Sequence, residues 1–290
     1  MNHSDLLKKV RKLEIKSRGL SAQLFSGQYH SAFKGRGMSF SEVREYQPGD
    51  DVRTIDWNVS ARLNHPYVKV FEEERELTIM LLVDVSGSKD FGTQVQTKME
   101  LVTEVCAVLA FSAMQNNDKI GVVFFSDQIE KYIPPKKGKS HVLRIISELI
   151  EFRPQRPGTD VGQALKFLTN VIRKRCTAFI LSDFFTSDFE DSLRLSNKKH
   201  DIVALPVSDP RELSIPDVGL MKVTDPETAE SFWVDSSDKA LRKAYEIKAK
   251  KHADQLKTTF SKAGVDAAWL STDRSYIQPL SNLFKRRGAR

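Results

Sequence analysis

At 290 residues the chain is long enough for one large α/β domain with a smaller appendage, and a hydrophobic fraction of 40% excludes disorder over most of its length. Two cysteines exclude a disulfide framework and a cysteine-based zinc site; Cys106 falls in an apolar helical pattern and Cys176 opens an apolar strand, so both read as packing residues. The net charge of +7 admits nucleic acid, anionic lipid or an acidic protein as partners, but the basic excess lies in two end segments without interleaved aromatic residues, which read as solvated helix faces.

In chain order, Met1 to Leu20 alternates charge with isolated apolar residues and has no apolar signal core, so an N-terminal helix on a cytoplasmic protein is expected. No later apolar run approaches a bilayer span. Phe33 to Arg75 differs in texture, with Gly35-Arg36-Gly37, the turn Pro48-Gly49-Asp50, Trp57 and many charges among few apolar residues. The Pro-Gly pair suits the central positions of a type II turn, and residues 21–76 are expected to form a small β-rich appendage. From Leu77 onward strand-like apolar runs alternate with helical patterns, the signature of an α/β domain with a mostly parallel central sheet and helices on both faces. The expected strands are Leu77 to Val85, Lys119 to Phe125, Thr177 to Leu181, Ile202 to Val207 and Val265 to Leu270, all near-continuous hydrophobic segments as in strands buried on both faces. Ile129 to Ile133 is expected to add an edge strand that ends at Pro134-Pro135. Helices are expected at Thr97 to Gln115, Ser140 to Glu151 with Ser140 as cap, Asp160 to Arg173, Phe189 to Asn197 and Asp238 to Lys262. Gly219 to Asp235 reads as a hairpin turning at Asp225-Pro226.

The strongest local signal follows the first core strand, where Asp84-Val85-Ser86-Gly87-Ser88 sets a carboxylate and two hydroxyls at alternate positions in a strand-to-helix loop. In open α/β sheets ligands collect at the carboxyl ends of strands. Gly158-Thr159-Asp160 and Ser182-Asp183 fall in equivalent loops and add a hydroxyl and further carboxylates. An all-oxygen set with few protein ligands suits a hard cation that keeps several waters, Mg²⁺ first, with Mn²⁺ and Ca²⁺ open. With only Asp84 and Asp183 to balance it, such an ion stays electrophilic enough to accept an Asp or Glu from another protein.

At these residues the chain resembles the metal-ion-dependent adhesion site of von Willebrand factor A domains, whose pattern is Asp-x-Ser-x-Ser, then a Thr, then an Asp. The resemblance implies that Asp84, Ser86, Ser88 and Thr159 lie at or next to a metal ion and that Asp183 binds it directly or through water. The stretch from Gly35 to Arg75 (GRGMSFSEVREYQPGDDVRTIDWNVSARLNHPYVKVFEEER) is similar to the signature of a bacterial family catalogued as domain of unknown function 58, in which such a segment precedes a von Willebrand A-like domain. Members are commonly encoded beside MoxR-type AAA+ ATPases, which implies an adaptor role with such an ATPase as partner. Within that signature, Arg36, Arg44, Tyr46, Asp50, Asp51, Arg53, Asp56 and Trp57 are expected to make salt bridges and hydrogen bonds that clamp the appendage to the main sheet, rather than partner contacts.

Two rival classes are weighed on the same residues. A Mg²⁺-dependent phosphoester hydrolase of haloacid-dehalogenase type needs a general acid two residues after its first Asp, and that place holds Ser86. Gly138-Lys139-Ser140 falls short of a phosphate-binding loop, because Ile133 stands where the pattern needs glycine. No G-x-S-x-G occurs, and the six histidines are scattered, which argues against nucleophilic hydrolysis. Electrostatic binding of nucleic acid or membrane through the basic ends is the other alternative. The reading reached is a non-catalytic, metal-dependent protein-interaction module.

Overall fold

The computed structural model describes residues 10–11, 13–17, 19–20, 38–73, 77–87, 96–186, 188–224 and 230–289. They fall into two compact units, one within Phe33–Leu77 and the other drawn from Met1–Ala32 and Thr78–Arg290. Arg36, Ser88 and the turn Asp225-Pro226 lie outside the described residues.

In the smaller unit, β1 (Met38–Glu45) pairs antiparallel with β2 (Tyr67–Glu73), and a short helix, α1 (Trp57–Leu63), lies between them in the chain. Gly49 takes φ 111°, a left-handed conformation that glycine adopts without strain, and the Asp50 amide donates to the Gln47 carbonyl at 3.0 Å to close the turn. Arg44 grips the Asp50 carboxylate with two nitrogens at 2.8 and 2.7 Å, which holds Asp50 below the usual carboxylate range. Asp56 caps α1 by accepting from the Asn58 and Val59 amides at 3.0 and 3.2 Å, and Asp51 accepts from the Arg53 amide at 2.9 Å. Several signature residues thus build turns and caps inside their own unit. Trp57, 71% exposed, is not among its packing residues.

In the larger unit the sheet runs in the order β10-β7-β6-β3-β4-β5, with β11 also paired to β7. Its strands are β3 (Thr78–Asp84), β4 (Lys119–Phe125), β5 (Ile129–Lys136), β6 (Thr177–Ser182), β7 (Asp201–Ser208), β10 (Asp266–Ala267) and β11 (Leu270–Ser271). All pairs are parallel except β4 with β5. Met80, Leu82, Val123, Ile180 and Ala204 pack on one face with α4 (Val161–Val171), α5 (Glu190–Lys199) and the long α7 (Lys239–Ala263). The pleat turns Ile79, Leu81 and Val83 to the other face, and all three are buried. The first crossover helix, α2 (Lys98–Gln115), is apolar nearly all round and buried over most of its surface. Thr97 and Glu100 form a capping box at its start, at 3.2 and 3.0 Å.

Four local expectations need correction. β5 does not stop at Pro134-Pro135; it continues to Lys136 through an irregularity in its register with β4, which an edge strand tolerates because proline then withholds no ladder donor. Gly121 is required opposite that bulge, since a Cβ there would lie 2.8 Å from both the Ile133 oxygen and the Pro135 nitrogen. Ser140 does not cap α3 (Lys139–Glu151); Gly138, with φ 100°, holds the cap position. Val265 to Leu270 is not one strand but the separate short pairings β10 and β11, with Trp269 between them 36% exposed. The basic tail is not wholly solvated: it forms α8 (Ile277–Gly288), whose buried Leu280, Leu283 and Phe284 carry Arg287 into ion pairs with Asp201 at 2.5 Å and Asp266 at 3.6 Å.

The hairpin expected at Gly219 to Asp235 is present as β8 (Leu220–Thr224) antiparallel to β9 (Ser231–Asp235). A short helix, α6 (Pro210–Leu213), precedes it. No described helix is long and apolar enough to cross a membrane.

Candidate functional site

The chain leaves β3 toward β4 and β5 on one side and later fills the other side with β6, β7 and β10, so strand order reverses between β3 and β6. Open sheets part their loops at such a switch point and leave a crevice at the carboxyl ends of the two strands. Asp84 ends β3, and Ser182 ends β6 immediately before Asp183. Asp84, Ser86, Ser182 and Asp183 line one cavity of about 20 Å³ together with Lys98 and Met99, room for about one water-sized occupant.

The side chains in this crevice are held firmly. Asp84, 8% exposed, accepts from the Ser86 amide at 2.9 Å and from the Ser182 hydroxyl at 2.5 Å. Burial raises the Asp84 carboxyl above the usual carboxylate range, and the negative charge of Asp183 raises it further, against the pull of Ser182 and Ser86. Two carboxylates facing each other in low dielectric call for a cation. Asp183 accepts from the Phe185 amide at 3.2 Å, and the Ser182 hydroxyl accepts from the Phe184 amide at 2.9 Å. Phe184 has φ 57°, unusual for a residue with a side chain; its buried ring sits among Phe189 and Phe260, with centroids 5.6 and 5.2 Å away, and this packing offsets the strain.

The third loop is tied to the other two. Pro157 accepts from the Gly87 amide at 2.8 Å, and the Thr159 carbonyl accepts from the Thr186 hydroxyl at 2.9 Å. Thr159 therefore stands between the loops after β3 and β6, but it does not line the cavity. The Asp160 carboxylate is committed elsewhere, accepting from the Gln163 amide at 2.8 Å as the cap of α4. Of the five residues singled out in the sequence, Asp84, Ser86 and Asp183 meet at one point, Thr159 flanks it, and Ser88 is outside the described residues.

Three participants are not among those five. Ser182 orients Asp84. Lys98, the first residue of α2, places its ammonium 2.8 Å from Asp183 and 2.5 Å from Glu212 on α6, with side-chain exposures of 4%, 5% and 17%. Burial alone would lower Lys98; attraction to Asp183 and Glu212 outweighs it, and the ammonium is held above its ordinary value. Burial in turn raises Glu212, against the stabilising pull of Lys98. A lysine at the start of an apolar helix opposes the helix dipole, which is the one local sign of this role. Glu212, 114 residues from Lys98, carries no comparable sign.

The donor set fits a hard divalent cation: two buried carboxylates and a hydroxyl converge on a space of one small ion, with the proviso that Lys98 already holds one oxygen of Asp183. Among the described residues no group of three or more His, Cys, Asp or Glu side chains stands ready to hold a metal, so any ion here relies on hydroxyls and water as well. The buried pair Cys176 and His200, 3.3 Å apart, lies at the opposite ends of its strands. Burial pushes the thiol up to about 12 and the imidazole down to about 4, leaving both neutral, as packing groups are.

A family profile described as "Protein of unknown function DUF58" matches residues 42–255. An uncharacterized protein of Mycobacterium tuberculosis is 32% identical over 97% of this chain and 90% of its own length. Among solved structures, the conserved hypothetical protein BatB of Bacteroides thetaiotaomicron aligns over 74% of this chain and 100% of its own, with 16% identity and a TM-score of 0.50. The Rpn10 VWA domain aligns over 73% of this chain and 95% of its own, with 14% identity and a TM-score of 0.38. The larger unit has the α/β architecture expected of a von Willebrand factor A-like domain, a mostly parallel sheet between helical layers.

Proposed function

The chain belongs to the DUF58 family of proteins of unknown function, and we propose that it is a non-catalytic, metal-dependent protein-interaction module, an adaptor for a MoxR-type AAA+ ATPase in complex assembly or maturation. The observation that carries this reading is the convergence of Asp84, Ser86 and Asp183 on one small cavity at the switch point of the sheet. In the proposal Asp84, Ser86 and Asp183 hold the cation, with Thr159 and Ser88 beside it. Bound there, Mg²⁺, or Mn²⁺ or Ca²⁺ in its place, supplies an electrophilic position that a partner's Asp or Glu fills.

The chain's own residues do the rest. Ser182 and the Ser86 amide fix both oxygens of Asp84, so the carboxylate is oriented before any ligand arrives. Phe184, locked in its aromatic cluster, holds the following loop and with it Asp183. Ser86 stands where a phosphatase of the haloacid-dehalogenase type requires an acid, which supports binding over turnover. Phe185, 50% exposed and stacked on His252 at 4.3 Å, gives the rim an apolar contact beside the charged centre. The choice of a MoxR-type ATPase rests on the family resemblance.

The test is binding of the intact protein to a purified MoxR-type ATPase from the same genome, with Mg²⁺ or with chelator, for wild type and Asp84→Ala. Binding that requires both Mg²⁺ and Asp84 is expected. Binding indifferent to both overturns the metal-bridged reading, and Mg²⁺-dependent turnover of a generic phosphoester that Asp84→Ala abolishes overturns the non-catalytic one.

A further inference from the structure

Lys98 is the feature that an oxygen-only cation site does not account for. Its ammonium is as deeply buried as the carboxylates it meets, and it is anchored from two sides. The Glu212 anchor is rigid: its second oxygen accepts from the Asp209 amide at 3.0 Å, and Asp209 accepts from the Thr272 hydroxyl at 2.5 Å. The Asp183 anchor belongs to a loop that also serves the cavity. One side chain therefore bridges a fixed acid outside the cavity lining and a cavity acid that the metal reading needs.

We propose that Lys98 is the built-in competitor of the metal. Its ammonium holds Asp183 when no divalent ion is bound, and it gives up Asp183 and keeps Glu212 alone when one enters. The inference rests on the metal-binding reading above and adds what regulates it.

The charges agree with such an exchange. With Asp84, Asp183 and Glu212 ionised against one ammonium, the cluster carries two negative charges, which one divalent ion neutralises. A lysine suits this role because its flexible stem carries a compact charge with three donors, so it can release one acceptor while keeping another. Metal affinity is then the difference between two cations' claims on Asp183. The site fills weakly by itself and more strongly once a partner adds a carboxylate.

The experiment is calorimetric titration of the full chain with MnCl₂, comparing wild type, Lys98→Met/Glu212→Gln and Asp84→Ala. The double variant removes one positive and one negative charge, so the cluster's net charge is unchanged and only the competition for Asp183 is lost. It also strands no carboxylate at Glu212, and a thermal melt in chelator checks that it folds. We expect the double variant to bind Mn²⁺ about tenfold more tightly than wild type, or to bind where wild type shows no heat, with Asp84→Ala silent in both cases. Unchanged or weaker affinity in the double variant, with wild-type binding that Asp84→Ala abolishes, overturns the role of Lys98 alone. Absence of Mn²⁺ binding in both wild type and the double variant overturns the metal reading along with it.

Discussion

Lys98→Met should destabilise the larger unit in a way that pH and Mg²⁺ both relieve. The substitution keeps the length of the stem and removes the ammonium that stands 2.8 Å from Asp183 and 2.5 Å from Glu212. Removing one partner of a buried ion pair costs about 3–5 kcal/mol, because the remaining charge keeps its desolvation penalty. Asp183 is 5% exposed but Glu212 is 17% exposed, so water recovers part of that penalty at Glu212, and about 3 kcal/mol is the appropriate figure. In a domain of this size each kcal/mol moves the melting temperature by about 2–4 °C, so a fall of roughly 6–12 °C is expected in chelator at pH 7.5. With the ammonium gone, burial acts on the Glu212 carboxyl unopposed by Lys98 and holds it above its unfolded value. At Glu212 the penalty is present at neutral pH and fades as pH falls through its folded-state pKa, so the gap to wild type narrows on acidification. Saturating Mg²⁺ should restore several degrees, since a ligand at a hundred times its dissociation constant contributes about 2.7 kcal/mol. Differential scanning calorimetry reads all three effects. A variant that melts within about 2 °C of wild type in chelator at pH 7.5 refutes the claim that this ammonium neutralises the buried acids.

Three further outcomes are expected. Gly121→Ala puts a Cβ 2.8 Å from backbone atoms of Ile133 and Pro135 and 2.9 Å from the Met80 sulfur, and should cost about 1–3 kcal/mol in urea unfolding; an unchanged midpoint contradicts the close approach. His200 is fully buried, and burial first, then Lys199 and Arg175, hold its imidazole down to about 4. A depressed histidine contributes stability that is present above its unfolded pKa of about 6.5 and is lost as pH falls through the folded one. Melting temperature should therefore fall less between pH 7 and 4.5 in His200→Gln than in wild type, and parallel slopes count against it. Asp56→Ala removes the cap of α1 and should cost about 1 kcal/mol, read as faster hydrogen exchange at the Asn58 and Val59 amides; unchanged protection rejects the cap.

The central strands were legible because strands buried on both faces are continuously apolar, and the run Lys119 to Phe125 is β4 residue for residue. Asp84 was legible for a related reason: a carboxylate ends such a run where the fold puts a crevice. Val265 to Leu270 has the same apolar content, yet it pairs only in two short pieces. Trp269 between them turns outward beneath Lys257, whose ammonium is 5.9 Å from the ring centroid, and apolarity alone does not encode that direction. Pro134-Pro135 was expected to end a strand, but at an edge a bulge absorbs the missing donors. The oxygen donors of the site came from loops at strand ends and were found by that rule. Lys98 meets Asp183 across 85 residues of sequence and Glu212 across 114, through helix positions that no local motif marks as functional. Arg287 likewise read as part of a solvated basic tail, and it becomes an ion-pair partner of Asp201 and Asp266 only because the apolar face of α8 packs into the domain.

The most direct test of metal binding is a crystal of the full chain soaked in Mn²⁺, with an anomalous difference map recorded at the manganese edge. One peak is expected within bonding distance of Asp84, Ser86 and Asp183, with the Lys98 ammonium withdrawn toward Glu212. A map at saturating Mn²⁺ with no peak in that crevice, and Lys98 still seated on Asp183, contradicts it.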